Sequence, residues 1–189
     1  GRVEEVVAVL PVAAIEQHGP HLPLSVDATL LQGVIDAALP QLPAGSLLAI
    51  MGSGKLEVSL KHLAAELGVT ESVRFLGQVA GGRRYFKAFD LFALSSDHEP
   101  FGMVLLEAMA AGVPVIGTDC GGGREVVQGV GELFPLGDAA ALAGALQRQA
   151  QNRDLPALRE RLQTHLQQRF SDAVVRERFW SLPLRAMLS

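Results

Sequence analysis

"SSDHEPFGMVLLEAMAAGVPVIGTDCGG" (residues 95–122) decides the fold of this chain. It reads as the end of a strand, a loop with Pro-Phe-Gly, a helix over 101–112 ended by Gly112, a strand "PVIGT" (114–118) and a glycine-rich turn. Strand, helix, strand in that order is a βαβ unit, which implies a parallel sheet. Glu99 and Glu107 stand eight positions apart, the first ahead of the helix and the second well inside it. The loop and helix N-terminus between them offer free backbone N–H groups, which suit a phosphate. Carboxylates beside a phosphate do not neutralise it. They hydrogen-bond hydroxyls, so a sugar phosphate or nucleoside diphosphate sugar is the ligand class suggested. "DCGGG" (119–123) adds a second turn where backbone can approach a ligand closely. The plainer alternative is that Glu99 is a solvated loop acid and Glu107 a surface helix acid.

The pattern repeats on either side. "EVVAVLPV" (5–12), "SLLAIM" (46–51), "SVRFLG" (72–77), "LFALSS" (91–96) and "GELFP" (131–135) are short β-branched or apolar runs, as expected for strands covered on both faces. Helical spacing marks "DATLLQGVIDAAL" (27–39), with Asp27 at its N-cap, "LEVSLKHLAAELG" (56–68), and "GGGREVVQG" (121–129). From Gly137 onward the chain is mostly helical. The sequence therefore predicts a single doubly wound, Rossmann-like α/β domain over 1–189. Its parallel sheet has about six strands, helices cover both faces, and a helical tail follows. If the first and fourth strands flank the switch in strand order, the loop "EQHGPHLP" (16–23) lies close to "HEPFGM" (98–103).

The 189 residues are 49% hydrophobic and 19% charged, with a net charge of −4. That balance suits one compact domain and gives no electrostatic case for nucleic acid. No apolar run is long enough for a membrane span, and acids precede the first apolar run, unlike a signal peptide. The single cysteine, Cys120, excludes an internal disulfide framework and fits a reducing, cytoplasmic setting. It reads as a buried or incidental thiol, with a reactive role as the alternative. "GSGK" (52–55) fails the phosphate-loop spacing, because Leu56 follows the lysine.

Residues from about 47 to 188 resemble the C-terminal, donor-binding domain of retaining glycosyltransferases with the GT-B fold, the glycosyl transferases group 1. The resemblance rests on "LAIMGSGKLEVSLKHLAAELGVTESVRFLGQV" (48–79), "EPFGMVLLEAMAAGVPVIGTDCGGGREVV" (99–127) with its E-x7-E signature at Glu99 and Glu107, and "GELFPLGDAAALAGAL" (131–146). It implies that Glu99 hydrogen-bonds donor sugar hydroxyls and that Phe101, Gly102 and Met103 line the sugar. It also implies that the amides of Val104 and Leu105 hold the diphosphate, and that Glu107 binds ribose hydroxyls. Backbone near Gln78 and Val79 would flank the base of a UDP- or GDP-sugar. The family's first loop carries an Arg and a Lys for the diphosphate, whereas this chain has neither from Glu4 to Ile50.

"LPVAAIEQHGPHLPLSVDATL" (10–30) resembles the start of the creatininase (creatinine amidohydrolase) family. That resemblance implies a divalent metal, Zn or Mn, at Glu16, His18 and Asp27, with His21 a packing residue beside the ligands. The family's later His and Glu ligands have no match, and His62, His98 and His165 fall in segments of glycosyltransferase character. Two-metal hydrolysis is therefore not expected.

The two resemblances meet near residues 43–50. Together with the leading Gly in place of a Met, they lead to the expectation of an artificial chimera, a protein folded but without a complete active site and without turnover. Residual nucleotide-sugar binding and divalent-metal binding are the alternatives. Exchange of the first strand–helix unit between two chains would make a domain-swapped homodimer.

Overall fold

The computed structural model describes residues 8–12, 45–53, 57–96, 99–151 and 155–182. The strands are β1 (Ala8–Val12), β2 (Leu47–Met51), β3 (Val73–Gly77), β4 (Leu91–Leu94), β5 (Val115–Thr118) and β6 (Glu132–Phe134). The described α-helices are α1 (Glu57–Glu66), α2 (Met103–Ala110), α3 (Gly121–Val127), α4 (Ala139–Gln151), α5 (Leu155–Phe170) and α6 (Asp172–Ser181). Two 3₁₀ turns, Thr70–Ser72 and Gly82–Ala88, complete the set.

The strands form one sheet in the order β3-β2-β1-β4-β5-β6, and every neighbouring pair is parallel. β1 sits at the centre, with Val9 paired to Leu48 on one side and to Leu91 on the other. Strand order therefore reverses between β1 and β4, the switch the sequence places between the first and fourth strands. The doubly wound, Rossmann-like α/β fold is as expected, with six strands and a helical C-terminal part. The predicted helix at 27–39 and the loop at 16–23 lie outside the described residues.

Alternation along each strand explains why the strands read as continuous apolar runs. Leu48, Ile50, Leu91, Ala93 and Ile116 face a core layer completed by Leu60 and Ala64 of α1 and Leu142 and Leu146 of α4. Ala49, Met51, Phe92, Leu94 and Val115 face the opposite layer, formed by Phe86, by α2 and α3, and by Leu158 and Leu162 of α5. With both faces covered, neither set of side chains can be polar.

The elements are shorter than their sequence patterns, and for the helix that opens the site the cause is visible. α2 starts at Met103 rather than 101 because Gly102 takes φ 83, a left-handed conformation that cannot continue into a helix backwards. The 3₁₀ turn Gly82–Ala88, not anticipated, buries Phe86 with its ring tilted against that of Phe92, centroids 5.2 Å apart.

One buried polar residue ties α5 to the site side of the sheet. His165 Nε2 lies 2.9 Å from the Val126 carbonyl oxygen of α3, and its ring packs on Phe170. Phe170 in turn meets Phe101 edge-on at 6.1 Å. Burial lowers the His165 pKa below 6.5; the Val126 hydrogen bond opposes this, and nearby Arg169 adds to the lowering. The unfolded chain therefore takes up this proton at a higher pH than the folded one. The contribution of neutral His165 is complete above pH 6.5 and is lost as pH falls through the lowered value. Thermal melts between pH 7.5 and 5 should show the melting temperature falling on the acid side, and His165→Gln should flatten that slope.

Candidate functional site

The carboxyl ends of the central strands carry the loops that can meet a ligand. After β4 the chain passes through Glu99–Gly102 into α2, and after β5 it turns through Asp119 and Cys120 into α3. These two turns touch through backbone. Gly122 N–H donates to the Glu99 carbonyl at 2.8 Å. A Cβ on Gly122 would lie 2.3 Å from the Pro100 oxygen and 2.6 Å from Phe101 Cα, so only glycine fits there. The three-glycine run therefore serves loop-to-loop contact.

Glu99 organises its own loop. Its Oε1 accepts from the amides of Gly102 at 2.7 Å and Phe101 at 3.3 Å, which holds the loop just ahead of α2. Both bonds fall on one oxygen, and among the described residues Oε2 has no partner. Glu99→Ala removes both of these loop hydrogen bonds. It should lower stability by about 1 kcal/mol, measurable in a denaturant titration, while Glu99→Gln should lose less.

At α2, the amide of Leu105 donates to Gly102 O at 2.9 Å and that of Leu106 to the same oxygen at 3.3 Å. The Leu105 amide is thus engaged within the first turn, and its side chain is fully buried in the core. Among the described residues, the amides at the helix start without a partner are those of Met103 and Val104. Phe101 and Met103 leave 42% and 61% of their surface exposed, so they stand at the mouth of the loop rather than in the core.

Val104 and Glu107, one turn apart on α2, face a cleft of about 520 Å³. That is within the roughly 300–1,000 Å³ usual for small-molecule sites. Its other walls are Gly52 at the end of β2, Gln78 and Val79 after β3, and Arg83 and Phe86 of the 3₁₀ turn. Gly52 is held by its N–H donating to Gly77 O at 2.8 Å. Arg83 Nη1 lies 3.6 Å from Glu107 Oε1. The structure thus brings Glu107, Val104, Gln78 and Val79 into one cleft, while Glu99, Phe101 and Met103 lie beside the start of α2. Sequence reasoning missed Arg83 and Phe86. The signal was available in "GGRRYF" (81–86), where an aromatic follows paired basic residues after a glycine break.

A model of the family described as Glycosyl transferases group 1 matches residues 34–169. The chain belongs to the glycosyl transferases group 1 family. Among curated glycosyltransferases, it is 37% identical over 113 residues to the lipopolysaccharide core biosynthesis glycosyltransferase LpsE of Rhizobium meliloti (strain 1021), covering 59% of this chain and 33% of that protein. It is 45% identical over 104 residues to the phosphatidyl-myo-inositol mannosyltransferase of Mycobacterium leprae (strain TN), covering 52% of this chain and 27% of that protein. In fold it is similar to HepE of Anabaena, solved in complex with UDP and glucose, with TM-score 0.72 and 24% identity, over 94% of this chain and 49% of that one. A lipopolysaccharide outer core galactosyltransferase, WaaB, gives TM-score 0.72 and 22% identity, over 95% of this chain and 49% of that one. The chain thus spans about a third of the length of LpsE and about half of the HepE and WaaB chains.

These relatives overturn the expectation of an artificial chimera without function. Glycosyltransferases share up to 45% identity with this chain, and the likeness of fold to WaaB extends over 95% of it, well beyond the part from 47 to 188. β1 is the central strand of that fold, paired along both sides. A second family model, Creatinine amidohydrolase, matches residues 2–65, a minority of the chain. Glu16, His18, His21 and Asp27 lie outside the described residues. Among the described residues no group of three or more His, Cys, Asp or Glu is placed to hold a metal ion, and no helix is long and apolar enough to cross a membrane.

Proposed function

We propose that this chain binds a nucleoside diphosphate sugar, UDP- or GDP-linked, as the donor-binding part of a glycosyltransferase, with residues 1–189 acting as one α/β domain. The observation that carries this reading is the cleft at the switch edge of the sheet, where Glu107 and the unpartnered amide of Val104 share a wall opposite Gln78 and Val79. Each group suits one part of the ligand. Glu107 accepts hydrogen bonds from the ribose diol. The amides of Met103 and Val104, at the positive end of α2, meet the diphosphate. Backbone at Gln78 and Val79 flanks the base. Glu99 keeps Oε1 on its own loop and offers Oε2 to a sugar hydroxyl, with Phe101, Gly102 and Met103 beside that sugar.

The relatives support the same reading, since HepE was solved with UDP and glucose and the curated proteins are named as glycosyltransferases. Transfer also needs an acceptor held against the donor's anomeric carbon, and the residues described here form the donor side. The test is a calorimetric titration of the chain with UDP, GDP and their glucose and mannose conjugates. One saturable site is expected, with a melting temperature raised by the preferred nucleotide; ligand at about 100 times its dissociation constant adds roughly 2.7 kcal/mol. Absence of binding to all four at millimolar concentration would sink the reading.

A further inference from the structure

We infer that Arg83 is the cation through which this cleft accepts the phosphates of its ligand, a deepening that rests on the nucleotide reading above. From Val3 to Gly54 the sequence holds no Arg or Lys, so the strands and loops at the centre of the sheet supply no positive side chain to the switch edge. Among the described residues lining the cleft, Arg83 is the single cation and Glu107 the single anion. Without Arg83 those walls would carry a net negative charge towards a dianionic or trianionic ligand, and the field of α2 alone would have to offset it.

The geometry suits this work. Arg83 stands on the 3₁₀ turn Gly82–Ala88, whose position is fixed by Phe86 packed in the core against Phe92. The guanidinium itself is loosely held. Its side chain is 71% exposed, and its contact with Glu107 is an ion pair at 3.6 Å, outside hydrogen-bond range. A pair this open contributes little to stability, so the side chain is free to reorient when a stronger anion arrives. Glu107 then turns its carboxylate to the ribose hydroxyls and Arg83 donates to a phosphate oxygen, each trading a weak partner for a charge-assisted hydrogen bond.

The experiment compares wild type, Arg83→Gln and Arg83→Lys by titration with UDP and GDP, with thermal melts as a folding control. Arg83→Gln should melt as wild type does and bind the preferred nucleotide about tenfold more weakly or worse, the loss expected for one charge-assisted hydrogen bond. Arg83→Lys should recover most of that affinity, because the charge is retained. Raising NaCl from 50 to 300 mM should weaken wild type more than Arg83→Gln. Equal affinity of Arg83→Gln and wild type would overturn the role. So would a loss in Arg83→Lys as large as in Arg83→Gln, which would assign the residue to shape rather than charge. Failure of wild type to bind either nucleotide would instead remove the nucleotide reading on which the role depends.

Discussion

Glu107→Ala should weaken binding of the preferred nucleotide about a hundredfold, which a calorimetric titration against UDP and GDP would read directly. The ribose diol offers two hydroxyl donors, and a carboxylate accepting both loses about 1.5 kcal/mol for each on truncation. Together these give about 3 kcal/mol, close to two decades in affinity. The side chain sits in the cleft wall rather than the core, and its one charged neighbour among the described residues is the exposed Arg83. Truncation therefore leaves no buried orphan, and the melting temperature should stay within a degree or two of wild type. Glu107→Gln keeps one acceptor and should fall between. An unchanged dissociation constant for Glu107→Ala would place the nucleotide elsewhere on the sheet edge.

Gly122→Ala should act in the opposite way, through the fold and then through the site. The added methyl meets the Pro100 oxygen at 2.3 Å and Phe101 Cα at 2.6 Å, both backbone atoms that no rotamer change can clear. Relief requires the loop after β4 and the start of α3 to separate. That breaks the hydrogen bond from Gly122 N–H to Glu99 O and shifts the carboxylate that holds the loop ahead of α2. A forced backbone displacement of this kind costs about 2–4 kcal/mol, or roughly 5–15 °C for a domain this size. Nucleotide binding should weaken as well, since the Met103 and Val104 amides move with the loop. Gly144→Ala in α4 is the control. There the new methyl would meet only the guanidinium of Arg148, at 3.1 Å, the far end of a side chain that is paired with Glu132 and has to shift by a few tenths of an ångström, so the loss should be far smaller than in Gly122→Ala. Equal loss in both variants would count against the loop contact as the cause.

The succession of strands and helices was legible because it follows from chemistry that repeats along the chain: short β-branched runs, helical spacing between them, glycines where helices stop. Glu99 and Glu107 were legible because their spacing straddles a loop and a helix start. What the spacing could not show is how each is used. Glu99 Oε1 turns back on its own loop, and Leu105 gives its amide to Gly102. Both are consequences of Gly102 adopting φ 83, a conformation that sequence permits but does not specify. The 3₁₀ turn bearing Arg83 was missed for a similar reason. A run as short as Gly82–Ala88 has no periodicity to detect, and Phe86 is buried by its neighbours rather than by an amphipathic pattern. The misreading of the whole as a chimera came from taking two family resemblances that meet near residues 43–50, and a leading Gly in place of a Met, as the mark of a junction. β1 needs only to be apolar on both faces and parallel to its neighbours, and many sequences satisfy that.

The central place of β1 also has a consequence for how the chain reaches its native state. Its pairing with β2 bridges Ala8 to Leu47, but its other edge must wait for Leu91, some eighty positions further along. Until β4 arrives, that edge presents a row of unpaired backbone groups flanked by apolar side chains. Contacts so distant in sequence slow folding, and an edge left open in the meantime invites pairing with another chain. During synthesis β1 is thus completed only after β4 has followed it. The interval before residue 94 leaves the ribosome is when this protein would most need a chaperone.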